Sequence, residues 1–136
     1  MNNLATALAM ILAVETPTMN PHAVGDLHLP IARRAFGRFQ IRKTILDDLN
    51  QWDHGQVTWT QADSINPELD VLMAQRWLLH YCGTKATIQR YCQVWNGGST
   101  GWRLPDAQAY FKRAVKVRKV RPDYFVSCKL EVERML

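Results

Sequence analysis

Residues 4–14 read Leu-Ala-Thr-Ala-Leu-Ala-Met-Ile-Leu-Ala-Val and lead directly to Glu15. Leucine returns at every fourth position with small alanines between, which predicts a helix that is buried on nearly every side. Because Pro17 disfavours the helical conformation in the residue before it, we expect this helix to end by Thr16. We interpret the rest of the chain as built around the carboxyl group at the end of this helix.

Glu15 is the first candidate for chemistry, because it closes an apolar helix. Burial disfavours the ionised form of a carboxyl group and raises its pKa, which would make Glu15 a proton donor. The alternative is a solvated position in the last turn, which is the commoner environment of a lone glutamate. The neighbouring motifs have to decide between these two interpretations.

The whole chain has 136 residues, of which 47% are apolar, and this length suits one compact domain. Its net charge of +5 and isoelectric point near 9.4 indicate an acidic partner, either nucleic acid or an anionic polymer such as the bacterial cell wall, although a solvated basic face has the same composition. The three cysteines lack the spacing of a metal site or a disulfide framework. We therefore expect no zinc site and reduced, mostly buried thiols at Cys82, Cys92 and Cys128. The sequence predicts no other metal and no cofactor.

The apolar run also has to be weighed as a targeting segment. Residues 1–3 carry no Lys or Arg, whereas a secretory signal has a basic region before its apolar core. The run is also far shorter than the ~20 residues that a helix needs to cross a bilayer. We expect a core helix and no membrane span.

Hydrophobic periodicity elsewhere predicts a mainly α-helical domain. Four further helices are expected, over residues 41–49, 67–82, 84–95 and 105–121. Asn66 and Pro67 supply a cap and a first helical residue, Gly83 a left-handed C-cap, and Thr84 the start of the following helix. On the last helix, the inward residues are expected to be Tyr110, Phe111, Ala114 and Val115, and the outward ones Lys112, Arg113, Lys116 and Arg118.

The connections between the helices are less periodic. Several prolines and turn dipeptides make residues 17–34 a long ordered loop or a small hairpin, and loops of this length are usually functional. Residues 57–60 are predicted to form a short strand, and residues 96–101 a flexible loop. We assign residues 1–121 to one domain and residues 122–136, either a docked helix or an irregular tail, to a C-terminal extension of it.

Short pieces of the chain resemble, in order, the signature of the lysozyme-like superfamily, which contains soluble lytic transglycosylases and goose-type lysozymes. The pieces are Glu15-Thr16, Asn20-Pro21-His22-Ala23, Gly37-Arg38-Phe39-Gln40-Ile41, Val94-Trp95-Asn96-Gly97-Gly98 and the helix from Asp106 to Val115. They resemble the family's Glu-Ser, Asn-Pro-x-Ala, Gly-Leu-Met-Gln-Ile, Ala-Tyr-Asn-x-Gly and closing Glu-Thr-x-x-Tyr…Val pieces. Their joint order indicates a lysozyme-like α-helical domain, most similar to small bacteriophage-encoded members.

The chain departs from the family pattern inside two of these motifs. Arg38 stands in place of an aliphatic residue and Trp95 in place of a tyrosine, while Arg33 and Arg34 in the preceding loop have no assigned role. We expect these differences to affect substrate preference more than the fold.

The resemblance implies cleavage of the β-1,4 bond between N-acetylmuramic acid and N-acetylglucosamine in peptidoglycan. Glu15 would be the general acid that protonates the leaving oxygen. Gln40, Trp95, Asn96 and Tyr110 would bind substrate or hold the reacting group. Outside the motif context, glutamine and asparagine at such positions more often serve loop hydrogen bonds, and a tyrosine more often serves the core.

A second carboxylate decides the type of reaction. Asp26 lies in the long loop, where goose-type enzymes keep acidic residues, and as a second acid it would position a water for hydrolysis with inversion. Asp47 and Asp48 lie on the second helix, where we expect a solvated surface. If no carboxylate faces Glu15, the substrate supplies the nucleophile and an anhydro sugar forms, as in lytic transglycosylases. We favour this single-glutamate mechanism slightly.

Peptidoglycan is the expected partner, with the basic fifth helix attracting an anionic wall polymer. The phage-like motif also implies other virion proteins as partners, and a location in a phage virion or in the host cytoplasm until release. A nucleic-acid-binding domain would need basic residues interleaved with exposed aromatics, and the aromatics here fall on inward faces. The remaining alternative is an inactive wall-binding or virion structural protein, against which the intact Glu15 argues.

Overall fold

A computed structural model describes residues 2–54 and 56–136, and over these residues the chain is mainly α-helical. Seven helices occur within this described part: α1 (Asn2–Glu15), α2 (Lys43–Asp53), α3 (Gln61–Ser64), α4 (Asp70–Cys82), α5 (Ile88–Gly101), α6 (Pro105–Val120) and α7 (Pro122–Met135). A small antiparallel sheet of β1 (Val24–Gly25) and β2 (Ala35–Phe36) follows the first helix, with a 3-10 helix at Ile31–Arg33 between its strands. Across the described residues, no helix combines the length and apolar character that a membrane span requires.

Helix α1 is the centre of the molecule and packs against α4, α5, α6 and α7. Leu4 and residues 6–13 are all buried, as expected for a helix that is apolar on every side. The helix ends at Glu15, so its predicted end and its nearly complete burial are both confirmed. The core therefore surrounds one helix whose only charged residue stands at its last position.

The segment between α1 and α2 contains the small hairpin. Val24 pairs with Phe36, and Gly25 pairs with Ala35. A tight turn follows β2, closed by reciprocal backbone hydrogen bonds of 3.0 and 2.9 Å between Phe36 and Ile41. This turn carries the Gly-Arg-Phe-Gln motif and holds it beside the hairpin.

Arg38, the unusual residue of that motif, is buried and joins three parts of the fold. Its guanidinium donates two hydrogen bonds of 2.8 Å to the carboxylate of Asp70 in the first turn of α4, and one of 3.0 Å to Glu131 on α7. A planar guanidinium matches a carboxylate in this two-bond geometry, which an aliphatic residue cannot do. Arg38 therefore docks α4 and α7 against the turn.

Residues 122–136 contain α7, so the docked helix is the alternative that the structure adopts. Helix α7 packs along α1, and the hydroxyl of Tyr124 donates a hydrogen bond to the carbonyl of Thr16. Arg121, at the junction of α6 and α7, donates to the carbonyl of Pro17 over 3.0 Å. These bonds fix the chain immediately after Glu15.

The three cysteines are free thiols. Cys92 and Cys128 are buried and Cys82 is partly exposed. Burial raises the pKa of the Cys82 thiol to about 11 and that of Cys92 to about 12. Because the thiolate is the reactive form, these side chains behave as small core residues at neutral pH.

The predicted strand over residues 57–60 is wrong, because that segment is irregular. The side chain of Asn50 on α2 takes the place of a neighbouring strand. Its amide nitrogen donates to the Trp59 carbonyl over 3.0 Å, and its oxygen accepts a hydrogen bond from the Trp59 N–H. The backbone groups of Trp59 are thus satisfied without a sheet.

The predicted start of α4 is also wrong, because the helix begins at Asp70 and not at Pro67. The side-chain oxygen of Asn66 accepts a hydrogen bond of 2.9 Å from the N–H of Glu68, which forms a separate turn before the helix. The predicted end is confirmed, with the helix closing at Cys82 and Gly83 at φ +72°.

Helix α5 begins later than the sequence suggests. Its N-cap is Thr87 and not Thr84, and the hydroxyl of Thr87 accepts a hydrogen bond of 3.0 Å from the N–H of Arg90. Both residues are threonines with equal capping ability, so composition could not choose between them.

Candidate active site

Glu15 is the last residue of α1, and its side chain lines a cleft at the edge of the core. The residue is partly exposed, so a ligand can reach it, whereas the helix behind it is buried. The hydroxyl of Tyr110 on α6 donates a hydrogen bond of 3.3 Å to Glu15 Oε2. Among the described residues, no cation forms a salt bridge with this carboxyl group.

Burial raises the pKa of Glu15 from its ordinary value of 4.5 to about 7. Desolvation is the largest cause, and the charge of Arg42, hydrogen bonding from Tyr110 and Trp95, and the charge of Arg113 offset it only in part. A carboxyl group with a pKa near neutrality keeps its proton in a large share of molecules at pH 7 and can transfer it to a substrate. Glu15 therefore has the protonation behaviour of a general acid.

The cleft beside Glu15 has a volume of about 450 Å³. Its walls come from the end of α1, the turn after β2, and helices α2, α4 and α5. Gln40, Trp95 and Asn96 line it together with Glu15, and Tyr110 reaches the same carboxyl group from α6. The motif residues come from distant parts of the sequence and lie together at this cleft.

Gln40 stands on the cleft wall with its amide turned toward the hairpin. Its Nε2 donates to the carbonyl of Gly37 over 2.9 Å and to that of Ala23 over 3.4 Å. A β-carbon at Gly25 would lie 2.0 Å from Gln40 Oε1, so a larger residue there would require the Gln40 side chain to move. Gln40 therefore stabilises the hairpin next to the cleft. This is the loop hydrogen bonding expected from the sequence as the alternative to substrate binding.

Trp95 and Asn96 line the cleft and lie on α5 just before an interruption of the helix. Gly98 has φ +77° and ψ −175°, a conformation that favours glycine, and helical structure resumes as far as Gly101. The predicted flexible loop over residues 96–101 is therefore wrong, since the segment is a kinked helix end. Its residues from Asn96 to Thr100 all line the cleft.

Asp26 is held by Arg42 through a hydrogen bond of 2.8 Å from the arginine Nε to Asp26 Oδ2. Arg42 lines the cleft, whereas Asp26 is not among its lining residues. A general base must come within hydrogen-bond reach of the water that it activates. In this arrangement Asp26 orients a cleft arginine.

Asp48 was expected on a solvated surface, and this expectation is wrong. It lines the cleft that contains Glu15. Its Oδ2 accepts a hydrogen bond of 3.0 Å from Trp77 Nε1 and one of 2.8 Å from the Tyr81 hydroxyl, both on α4. Asp48 follows the buried Ile45 by three residues, and residues at this spacing are neighbours on a helix surface. This spacing could have predicted that Asp48 lies next to the inward face of α2.

Helix α6 carries the largest run of positive charge beside the site. Its exposed basic residues are Lys112, Arg113, Lys116, Arg118 and Lys119. Val115, predicted to face inward, is 43% exposed, so the buried stripe on this helix is narrower than expected. Arg113 lies over the ring of Tyr110 at 5.5 Å, which brings the basic face next to the partner of Glu15.

Comparison of the chain with known protein families, with curated proteins and with solved structures finds no match.

Proposed function

We propose that this protein is a peptidoglycan-cleaving glycosidase with a lysozyme-like domain. Its substrate bond would be the β-1,4 linkage between N-acetylmuramic acid and N-acetylglucosamine. The observation that carries the proposal is Glu15, a carboxyl group at the end of a buried helix, open to a cleft and with a pKa of about 7. Three further motif residues, Gln40, Trp95 and Asn96, support it by lining the same cleft.

In the proposed reaction, Glu15 donates its proton to the glycosidic oxygen as the bond from that oxygen to the muramic acid C1 breaks. The hydroxyl of Tyr110 holds the carboxyl group in place through its hydrogen bond to Oε2. The 6-hydroxyl of the muramic acid then forms a bond to C1 and releases its proton to Glu15. The glutamate is thereby returned to its acid form, and the product carries an anhydro ring.

The pairing of Asp26 with Arg42 supports the lytic transglycosylase route over hydrolysis with Asp26 as the general base. The carboxylate that does line the cleft with Glu15 is Asp48, one oxygen of which accepts hydrogen bonds from Trp77 and Tyr81. A hydrolytic muramidase with inversion needs a second carboxylate that activates a water. Asp26, the candidate for that role, lies outside the cleft lining and is engaged by a guanidinium. Hydrolysis remains the alternative outcome that product analysis distinguishes.

The exposed basic face of α6 supports an anionic cell-wall partner, because positive charge close to a cleft attracts polyanions over a distance set by the salt concentration. The same face is the feature that would favour a nucleic-acid-binding function. Competition separates the two: wall cleavage is expected to persist in the presence of duplex DNA at physiological salt. Tight DNA binding with a steep salt dependence and no action on the wall would favour the nucleic-acid function.

The experiment that tests the proposal is digestion of purified peptidoglycan followed by mass analysis of the soluble products. We expect disaccharide-peptide products with anhydromuramic ends, lighter by one water than hydrolytic products. Reducing ends of normal mass would show a hydrolase. No released products, from a protein shown to be folded, would remove the enzymatic function altogether.

A further inference from the structure

The wall of the cleft that α2 and α4 form is separate from the motif residues. Asp48 projects from α2, and Trp77 and Tyr81 project from one face of α4, four residues apart. Both side chains donate a hydrogen bond to the same carboxylate oxygen, Asp48 Oδ2, over 3.0 and 2.8 Å. Two fixed donors therefore set the orientation of this carboxylate.

The second oxygen of Asp48 has a different environment. Within the described residues, no side chain or backbone group donates a hydrogen bond to Oδ1. Asp48 is partly exposed and lines the cleft, so this oxygen is available to a ligand there. A carboxylate that is held at one oxygen and open at the other is a preorganised hydrogen-bond acceptor.

The neighbouring residue Asp47 shows that the arrangement is not a general property of α2. Its carboxylate is exposed and pairs with Lys43 one helical turn earlier over 2.7 Å. An exposed pair of this kind contributes little to stability or binding. Asp47 therefore serves as a matched control for Asp48.

Aromatic rings connect this wall with the Glu15 end of the cleft. Trp77 packs edge to face against Trp95 with ring centroids 5.7 Å apart, and against Tyr81 at 4.9 Å. Trp52 also packs against Tyr81, with ring centroids 5.7 Å apart. Sugars are bound by apolar ring faces together with a few well-placed polar groups. In this wall Trp77 and Trp95 are buried and support the partly exposed ring of Tyr81, which lines the cleft beside the carboxylate of Asp48.

We propose that Asp48, Trp77 and Tyr81 form a sugar-binding subsite of the cleft, in which Asp48 Oδ1 accepts a hydrogen bond from a hydroxyl or amide N–H of a neutral N-acetylhexosamine unit. The negative charge of Asp48 disfavours an anionic sugar at this position. The subsite lies in the same cleft as Glu15, so it would hold the glycan strand while the glutamate acts on it. This inference rests on the proposed function, since it names the part of the strand that the cleft recognises.

The test compares Asp48→Asn and Tyr81→Phe with the control Asp47→Asn, using a neutral oligomer of N-acetylglucosamine as the probe. Dissociation constants come from calorimetry, and kcat and KM from cleavage of uncrosslinked glycan strands. We expect Asp48→Asn to weaken binding and raise KM by about tenfold, because a hydrogen bond to a charged group is lost, with kcat within about threefold of the parent. Tyr81→Phe keeps the ring and loses one donor, so a smaller change in the same direction is expected.

Unchanged binding by a folded Asp48→Asn protein would overturn the subsite. A loss of kcat of about 100-fold or more with unchanged binding would also overturn it, because Asp48 would then act as a base. Equal effects of Asp47→Asn and Asp48→Asn would also overturn the subsite, because the loss of binding would then reflect the loss of one negative charge and not a specific contact. If the parent binds the oligomer through Asp48 but cleaves no wall, the proposed function fails while the subsite stands.

Discussion

Glu15 and Asp70 are both carboxyl groups at the ends of helices, and they differ in what surrounds them: Asp70 is buried, whereas Glu15 is partly exposed and lines a cleft at the edge of the core. The Asp70 side chain is 0% exposed and receives two hydrogen bonds from the Arg38 guanidinium. Glu15 has a tyrosine hydroxyl at 3.3 Å and no salt-bridge partner among the described residues. Burial alone would lower the pKa of Arg38. Its hydrogen bonds to Asp70 and Glu131, together with the charges of these carboxylates, raise the pKa instead. Direct pairing with carboxylates raises the pKa of the buried Arg38, whereas at Glu15 the charges of Arg42 and Arg113 offset desolvation only in part and the pKa of the carboxyl group rises.

The largest expected effect comes from breaking the ion pair. Arg38→Met removes the guanidinium and leaves Asp70 buried without its partner, which should lower the free energy of unfolding by about 3–5 kcal/mol. Urea denaturation followed by circular dichroism measures this change. Lys43→Met removes an exposed cation from a surface pair and should change stability by less than about 1 kcal/mol. Equal effects of the two substitutions would show that burial of Arg38 has no energetic consequence.

Glu15→Gln tests the other half of the comparison. The amide keeps the shape of the side chain but cannot serve as the proton donor, so wall cleavage should fall at least ~100-fold, a barrier increase of about 2.7 kcal/mol. Turbidity loss of a peptidoglycan suspension measures the rate. Glu133→Gln, at an exposed position of α7, is the matched control and should keep full activity. Near-normal cleavage by a folded Glu15→Gln protein would remove Glu15 from the mechanism.

The same substitution should stabilise the fold in a pH-dependent way. Between pH 4.5 and about 7, native Glu15 holds a proton that the unfolded chain releases, so the parent loses stability as the pH rises through this window. Glutamine does not titrate, so the free energy of unfolding of Glu15→Gln, relative to that of the parent, should increase by on the order of 2 kcal/mol between pH 4 and pH 8. This value allows for the partial exposure of the side chain. Urea unfolding at the two pH values measures the gain. A stability difference independent of pH would contradict the raised pKa.

Asp26→Asn should have the smallest effect. Because Asp26 pairs with Arg42 beside the cleft, turnover is expected to stay within about tenfold of the parent, a barrier change of about 1.4 kcal/mol or less. Initial rates on purified peptidoglycan measure it. Collapse of activity together with reducing ends in the parent digest would instead make Asp26 a general base and the protein a hydrolase.

The sequence was most informative about features that depend on the periodicity of a single helix. The apolar run ending at Glu15 predicted both the burial of α1 and the special position of its carboxyl group. The motifs also placed Gln40, Trp95 and Asn96, which line the cleft, although their roles toward substrate stay predictions. These features depend on periodicity and on short local patterns.

The sequence was least informative where two side chains meet from distant parts of the chain. Asp48 contacts residues 29 and 33 positions further on, and Arg38 contacts Asp70 and Glu131 at separations of 32 and 93. Helical spacing places Asp48 next to the inward face of α2, but no local pattern shows that its partner is a tryptophan of another helix. The wrong prediction of a strand at residues 57–60 has the same origin, because the backbone groups of Trp59 are satisfied by the side chain of Asn50.

The most direct test of the central claim is a titration of the Glu15 carboxyl group itself. Carbon-13 NMR of protein labelled at the glutamate side-chain carboxyls would follow each group, and the resonance missing from Glu15→Gln identifies Glu15. That resonance should titrate with a pKa of about 7. A midpoint near the ordinary glutamate value of 4.5 would contradict the claim that burial, in the absence of a salt-bridge partner among the described residues, raises the pKa of Glu15 toward neutrality.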